Sequence, residues 1–194
     1  MARISRKIAL REAELDALMT SSWNMRIATV GSGGWINLTP MWFGWVQGKI
    51  YFTGQGQKIA NLRENPTASV LVDGNERFPE LVEAMFQGTA QVLEDAEAER
   101  ADPDLEEARL VLGTKYAGGH GEAAGPSSDA PPGAGSSSDA PPGAGLSSDA
   151  APGSGPERRD TTASGETNRW VVFTPDRLVS WDNAKIAALR AARG

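Results

Sequence analysis

Cysteine is absent from this 194-residue chain and histidine occurs once, as His120. The first absence excludes zinc fingers, iron-sulfur ligation, thiol nucleophiles and disulfides together. The second leaves no multi-histidine metal site and no credible Ser-His-Asp triad. His120 stands among Gly, Ala, Ser and Pro and reads as a solvated loop residue. No metal is expected. Long apolar runs are also missing. No window approaches the roughly 20 residues of a membrane helix, and the N-terminal apolar stretch is only Ile8, Ala9 and Leu10 before Arg11, too short for a secretory signal. A cytoplasmic protein without a membrane partner is expected. A basic excess is lacking as well: 19 Lys and Arg stand against 25 Asp and Glu, for a formal net charge of -6. Nucleic-acid binding calls for a basic face, so no nucleic-acid partner is expected.

Composition breaks after Tyr116. From Ala117 to Thr167 there is no aromatic residue, and Leu146 is the only Leu, Ile, Val, Met or Phe. Such a segment buries too little apolar surface to offset its ordering entropy. Within it a ten-residue unit recurs as SSDAPPGAGS from Ser127, SSDAPPGAGL from Ser137 and SSDAAPGSGP from Ser147. The units lack stacking apolar positions, so they read as a proline-stiffened, disordered repeat expansion and not as a solenoid. The expected organisation is one domain over residues 1–116 and 168–194, interrupted by a low-complexity insertion at 117–167. Loop-closure entropy rises only by about 0.6 kcal/mol per doubling of length, so a fold can carry that insertion.

Outside the tract the pattern is mostly β. Leu15, Leu18 and Met19 predict an N-terminal helix. Met25 to Val30, Trp35 to Val46 and Lys49 to Thr53 then read as strands joined by glycine turns, a meander in which Pro40 marks a bulge or an edge. Ile59 and Leu62 give a short helix ending before Asn65 and Pro66. Ala68 to Asp73 and Phe86 to Leu93 continue the strands, the latter with a period of two. Asp102 and Pro103 look like a helix start, with Gly113 closing that helix. Trp170 to Thr174 and Leu178 to Trp181 read as two more strands before a C-terminal helix around Ile186 and Leu189. Short-linked antiparallel strands with covering helices suggest a small barrel.

Three stretches bear on chemistry. TGQGQKIANLRENP, from Thr53, puts two glycines and a lysine between strand and helix. It is no Walker loop, because Gly54 and Gly56 are two apart and Ile59 occupies the hydroxyl position. Lys58 still falls in the first helical turn, where free amides and the dipole favour an anion; alternatively it is an ordinary exposed lysine. INLTPMWFGWV, from Ile36, reads either as barrel core or as a wall for a flat heteroaromatic ring. In the second case Thr39 supplies hydrogen bonds, and Trp42 or Phe43 a π surface. The carboxylates between Asp95 and Glu107 read as a solvated helix face, and Gly31 to Gly34 as a hairpin turn.

The order of MRIATVGSGGWINLTPMWFGWVQGKIYFTG, QKIANLRENPTASVLVD, FQGTAQVLED and the late RLVSWD resembles the FMN-binding split barrels related to pyridoxamine 5'-phosphate oxidase, in particular their flavin and deazaflavin oxidoreductase branch. The resemblance implies a six-stranded antiparallel split β-barrel with peripheral helices, and a homodimer with its cofactor at the interface. It places a cofactor phosphate beside Thr53, Gln57 and Lys58 and the ring along Thr39, Pro40, Met41 and Trp42. The oxidases typically carry Ser-Arg-Lys where this chain has Gly56, Gln57 and Lys58, and they end in an Arg-x-His element that is lacking here. The RLVSWD ending looks more like the branch that uses coenzyme F-420, with Arg63 and Arg26 as candidates for its acidic tail. The implied activity is F-420-dependent hydride transfer to a small conjugated or quinone-like substrate. FMN is the alternative cofactor, and a non-catalytic cofactor-binding protein the alternative class. No catalytic side chain is assigned.

Overall fold

Strand Lys49–Gly54 shows why this chain forms a two-sided sheet. Ile50 and Phe52 point into one buried cluster and Tyr51 into another, as the alternation of a strand requires. The computed structural model describes residues 7–74, 77–117 and 168–192. The decapeptide repeats and His120 lie outside the described residues. In chain order the elements are α1 (Glu12–Ser21), β1 (Met25–Val30), β2 (Ile36–Met41), β3 (Gly44–Val46), β4 (Lys49–Gly54), α2 (Gln57–Glu64) and β5 (Thr67–Gly74). A single 3-10 turn (Phe78–Glu80) precedes β6 (Val82–Leu93), α3 (Ala96–Ala101), α4 (Leu105–Tyr116), β7 (Arg169–Asp182) and α5 (Asn183–Ala191).

The strands form one antiparallel sheet in the order β2-β1-β5-β6-β7-β4-β3. Helix α2 leaves the end of β4 yet packs against β1 and β2, at the other end of that order. The sheet therefore curls, giving the expected mostly-β half-barrel with peripheral helices. Among the described residues its strands number seven, not six. The run from Trp35 to Val46 divides into β2 and β3, and these occupy opposite edges of the sheet, so β1 to β4 form two hairpins and not a meander. Pro40 sits in the edge strand, the place in a sheet that tolerates proline.

The two C-terminal runs fuse instead into the single 14-residue β7. The sequence separates the two runs at Pro175 to Arg177, and proline rarely sits within a sheet. Here these residues lie at a register shift, where Gln87 faces Arg177 and Gly88 faces Pro175. Asp176 is the extra residue of a bulge, which accommodates the proline. β7 runs between β6 and β4, so the segment after the repeats completes the sheet built before them.

One cluster, including Met25, Ile27, Phe43, Phe52, Val70, Phe86 and Phe173, fills the concave side under α1 and α2. The other joins Tyr51, Leu93 and Val172 to Leu105 and Ala108 of α4. α4 begins after Asp104, not Asp102, and runs through Gly113 to Tyr116. Asp102 is engaged elsewhere, accepting hydrogen bonds from the Tyr51 hydroxyl and the Asp104 amide, both at 3.0 Å. Burial of Tyr116 carries the helix one turn beyond its glycine.

Candidate functional site

The β4–α2 junction is built around glycine. Gly56 caps α2 with φ +70° and ψ -148°, a backbone shape that side chains disfavour, and a Cβ there would meet nothing within 4 Å. The helix start thus stands open. No acidic residue lies in the first turn and no side chain caps it. Lys58 folds back over Gly54, where an added Cβ would come within 3.3 Å of the lysine Cδ. Its Nζ donates to the Gln55 carbonyl at 2.9 Å. Among the described residues no carboxylate pairs with Lys58, and burial lowers its pKa from the ordinary lysine value. A half-buried cation at the open start of a helix is the kind of place where an anion is favoured.

Behind this turn lies a buried polar chain that the sequence reading missed. Gln57 Nε2 donates to Asn61 Oδ1 at 2.7 Å, and Asn61 Nδ2 donates to Thr29 Oγ1 at 3.0 Å. Asn61 and Thr29 are buried, and the space over Gly31 is taken by the Asn61 amide, 3.1 Å from where a Cβ would stand. The chain ties α2 to β1 and so sets where Lys58 stands. Asn61→Ala strands the Thr29 hydroxyl and leaves a void, for an expected loss of about 2 kcal/mol in a urea melt. A loss below about 0.5 kcal/mol would show the link to be slack.

The residues expected along a ring divide between two places. Thr39, Pro40 and Met41 lie on β2, which α2 touches, and the Thr39 hydroxyl donates to Asn37 Oδ1 at 2.8 Å. Trp42 turns instead toward α4, stacking on Tyr116 with ring centroids 4.6 Å apart and planes 7° from parallel. One face of its π surface is already covered. Phe43 is wholly buried core. Thr53 is half-buried on β4 opposite Trp170. Arg63 is at the other end of α2 from Lys58, five residues on or about 7.5 Å along the axis. There it grips Glu94 through a fork of two 2.7 Å bonds, on the wall of a concavity of about 590 Å³ that Lys58 does not reach. Arg26 is paired with Asp73. Neither arginine joins the Lys58 end.

The curled antiparallel sheet with peripheral helices, and the glycine-capped helix that follows β4, are those of a split barrel. The chain belongs to the pyridoxamine 5'-phosphate oxidase family, whose model matches residues 12–111. A conserved hypothetical protein from Mycobacterium tuberculosis is similar in structure, with 21% identity and a TM-score of 0.57, over 96% of this chain and 93% of that one. A FAD-binding protein from Mesorhizobium loti aligns at 14% identity and a TM-score of 0.54, over 89% of this chain and 93% of that one. The heme storage protein of Vibrio cholerae aligns at 12% identity and a TM-score of 0.54, over 88% and 94%. No curated protein matches the chain significantly.

Proposed function

We propose that this chain is an oxidoreductase working with coenzyme F-420 and passing hydride to a small conjugated or quinone-like substrate. The observation that carries this reading is the solitary cation at the start of α2. A phosphate monoester such as that of FMN bears about -1.5 to -2 charge at neutral pH and is best met by two cations. The phosphodiester of F-420 bears a single charge. Among the described residues Lys58 is the one cation in the first turn of α2, because Gln57 stands where the oxidase pattern has arginine, and the Gln57 amide is spent on Asn61.

The site fits a phosphate: open amides, a glycine cap, a desolvated lysine and no competing carboxylate. Lys58, the Gln57 backbone amide and Thr53 hold the phosphate in this reading, while Thr39, Pro40 and Met41 flank the ring and Trp42 stays with Tyr116. The cofactor supplies the hydride when bound, and the protein supplies position and charge. The Thr39 hydroxyl orients the ring edge, and Pro40 leaves one side of the strand without a donor. Arg63 stays with Glu94 and is not assigned to the cofactor.

Beside this site, β2 and the residue before it carry apolar side chains in the open. Trp35, Ile36 and Leu38 are 81, 70 and 65% exposed, a patch of the kind that marks an interface. A second copy of the chain covering β2 closes the site in this reading, and light scattering is expected to give twice the chain mass.

The deciding experiment titrates the purified protein with F-420 and with FMN by fluorescence and then offers reduced cofactor with a panel of acceptors. Tight F-420 binding with oxidation of its reduced form supports the proposal. A protein that isolates yellow and ignores F-420 is the FMN enzyme. Bound cofactor with no turnover across the panel makes it a binding protein.

A further inference from the structure

A second half-buried cation lies on α4. Lys115, in the last turn of α4, places Nζ 3.9 Å from the centre of the Phe43 ring. The ammonium also donates to the Met19 and Phe43 carbonyls at 3.2 and 3.4 Å. Both bonds are long, and a lysine has three donors, so the third has no oxygen acceptor among the described residues and meets the Phe43 ring face. Among the described residues no carboxylate lies within ion-pair distance of it. Burial alone lowers its pKa, to about 8. A structural lysine that only bridges two carbonyls and a ring has no need of an apolar trough beside it. Here Met19, Trp45, Leu110, Val111, Thr114 and Lys115 line one, of about 390 Å³, within the size range of small-molecule sites. Its walls are a methionine, an indole, two threonines and two aliphatic side chains from α1, β3 and α4, and Lys115 is the charged residue among those that line it. The Trp45 indole is itself fixed, donating to Asp16 Oδ1 at 2.9 Å.

We propose that this groove between α1, β3 and α4 binds an apolar monocarboxylate, its carboxylate on Lys115 and its chain or ring along Met19, Trp45, Leu110 and Val111. The charge of the ligand matches the one uncompensated charge of the groove. Its apolar body covers Leu110, which is otherwise 72% exposed. A partly buried cation without a counterion is costly, and a carboxylate delivers both the counterion and acceptors for the spare donor. The groove shares no lining residue with the proposed cofactor site and stands whether or not that reading holds.

The test is calorimetric titration of the full-length protein with sodium decanoate, with decanol and with decyltrimethylammonium. Decanoate is expected to bind once per chain, at least tenfold more tightly than either control. Lys115→Met keeps an apolar stem of similar length and is expected to lose at least tenfold in decanoate affinity without loss of melting temperature. Lys115→Arg is expected to retain binding. Leu110→Glu, at an exposed position where folding is not at stake, is expected to weaken decanoate by charge repulsion. Equal binding of decanoate and decanol, or undiminished decanoate binding by Lys115→Met, would overturn the proposal.

Discussion

Gly88→Ala is expected to lower the melting temperature by about 10 °C. A Cβ at Gly88 would stand 2.1 Å from the Thr174 carbonyl oxygen and 2.9 Å from the Pro175 Cα. Both are backbone atoms, so no side chain can swing aside, and β7 must move away from β6. That movement disturbs the pairing on either side of the bulge, where Phe86 and Phe173 are both core residues. Overpacking of this kind costs about 3 kcal/mol, and each kcal/mol is worth about 2–4 °C in a domain of this size. Gly113→Ala is the internal control. A Cβ there meets nothing within 4 Å, the position is helical, and alanine is favoured there by about 0.5–1 kcal/mol. Thermal and urea melts of the two variants should therefore move in opposite directions. A Gly88→Ala protein melting within about 2 °C of the parent would mean that the strands cross more loosely than described.

Lys58→Met is expected to weaken cofactor binding by about 10- to 100-fold while leaving the fold intact. Charge-assisted hydrogen bonds contribute about 1.5–3 kcal/mol, and 1.4 kcal/mol is tenfold in affinity. The side chain is half-buried and makes one bond to a backbone carbonyl, so its loss should leave the melting temperature nearly unchanged. Affinity should also depend on pH with a definite sign. Burial lowers the pKa of Lys58 in the free protein, and a bound phosphate raises it again. Binding is therefore strongest below the pKa of the free protein and weakens as pH rises through it, and Lys58→Met should flatten that alkaline slope. Equal affinities for the two proteins would remove the phosphate from this helix.

The sequence carried much of this arrangement because its signals were local. Gly56 and Lys58 predict an open helix start from a few residues, and the alternation of Phe86, Gly88, Ala90 and Val92 predicts a strand with one packed face. Signals failed where the deciding partner was distant. Nothing around Pro175 shows that Gly88, almost ninety positions earlier, makes room for it. Asn61 reads as a polar helix residue until Thr29 is seen beneath it. Trp42 reads as a ring wall until Tyr116 takes one of its faces. Arg63 looks available until Glu94 closes on it. Lys115 drew no notice because a lysine near a helix C-terminus is ordinary; only its neighbours from α1 and β3 make it unusual.

The central place of β7 has a consequence for synthesis. A ribosome that has finished Tyr116 has released β4 and β6 but not the strand that lies between them, and residues 117–168 must be translated first. At about 5–20 residues per second, the nascent protein waits roughly three to ten seconds with two open hydrogen-bonding edges. Chains cut short before Arg169 keep those edges unpaired, and open edges recruit other chains.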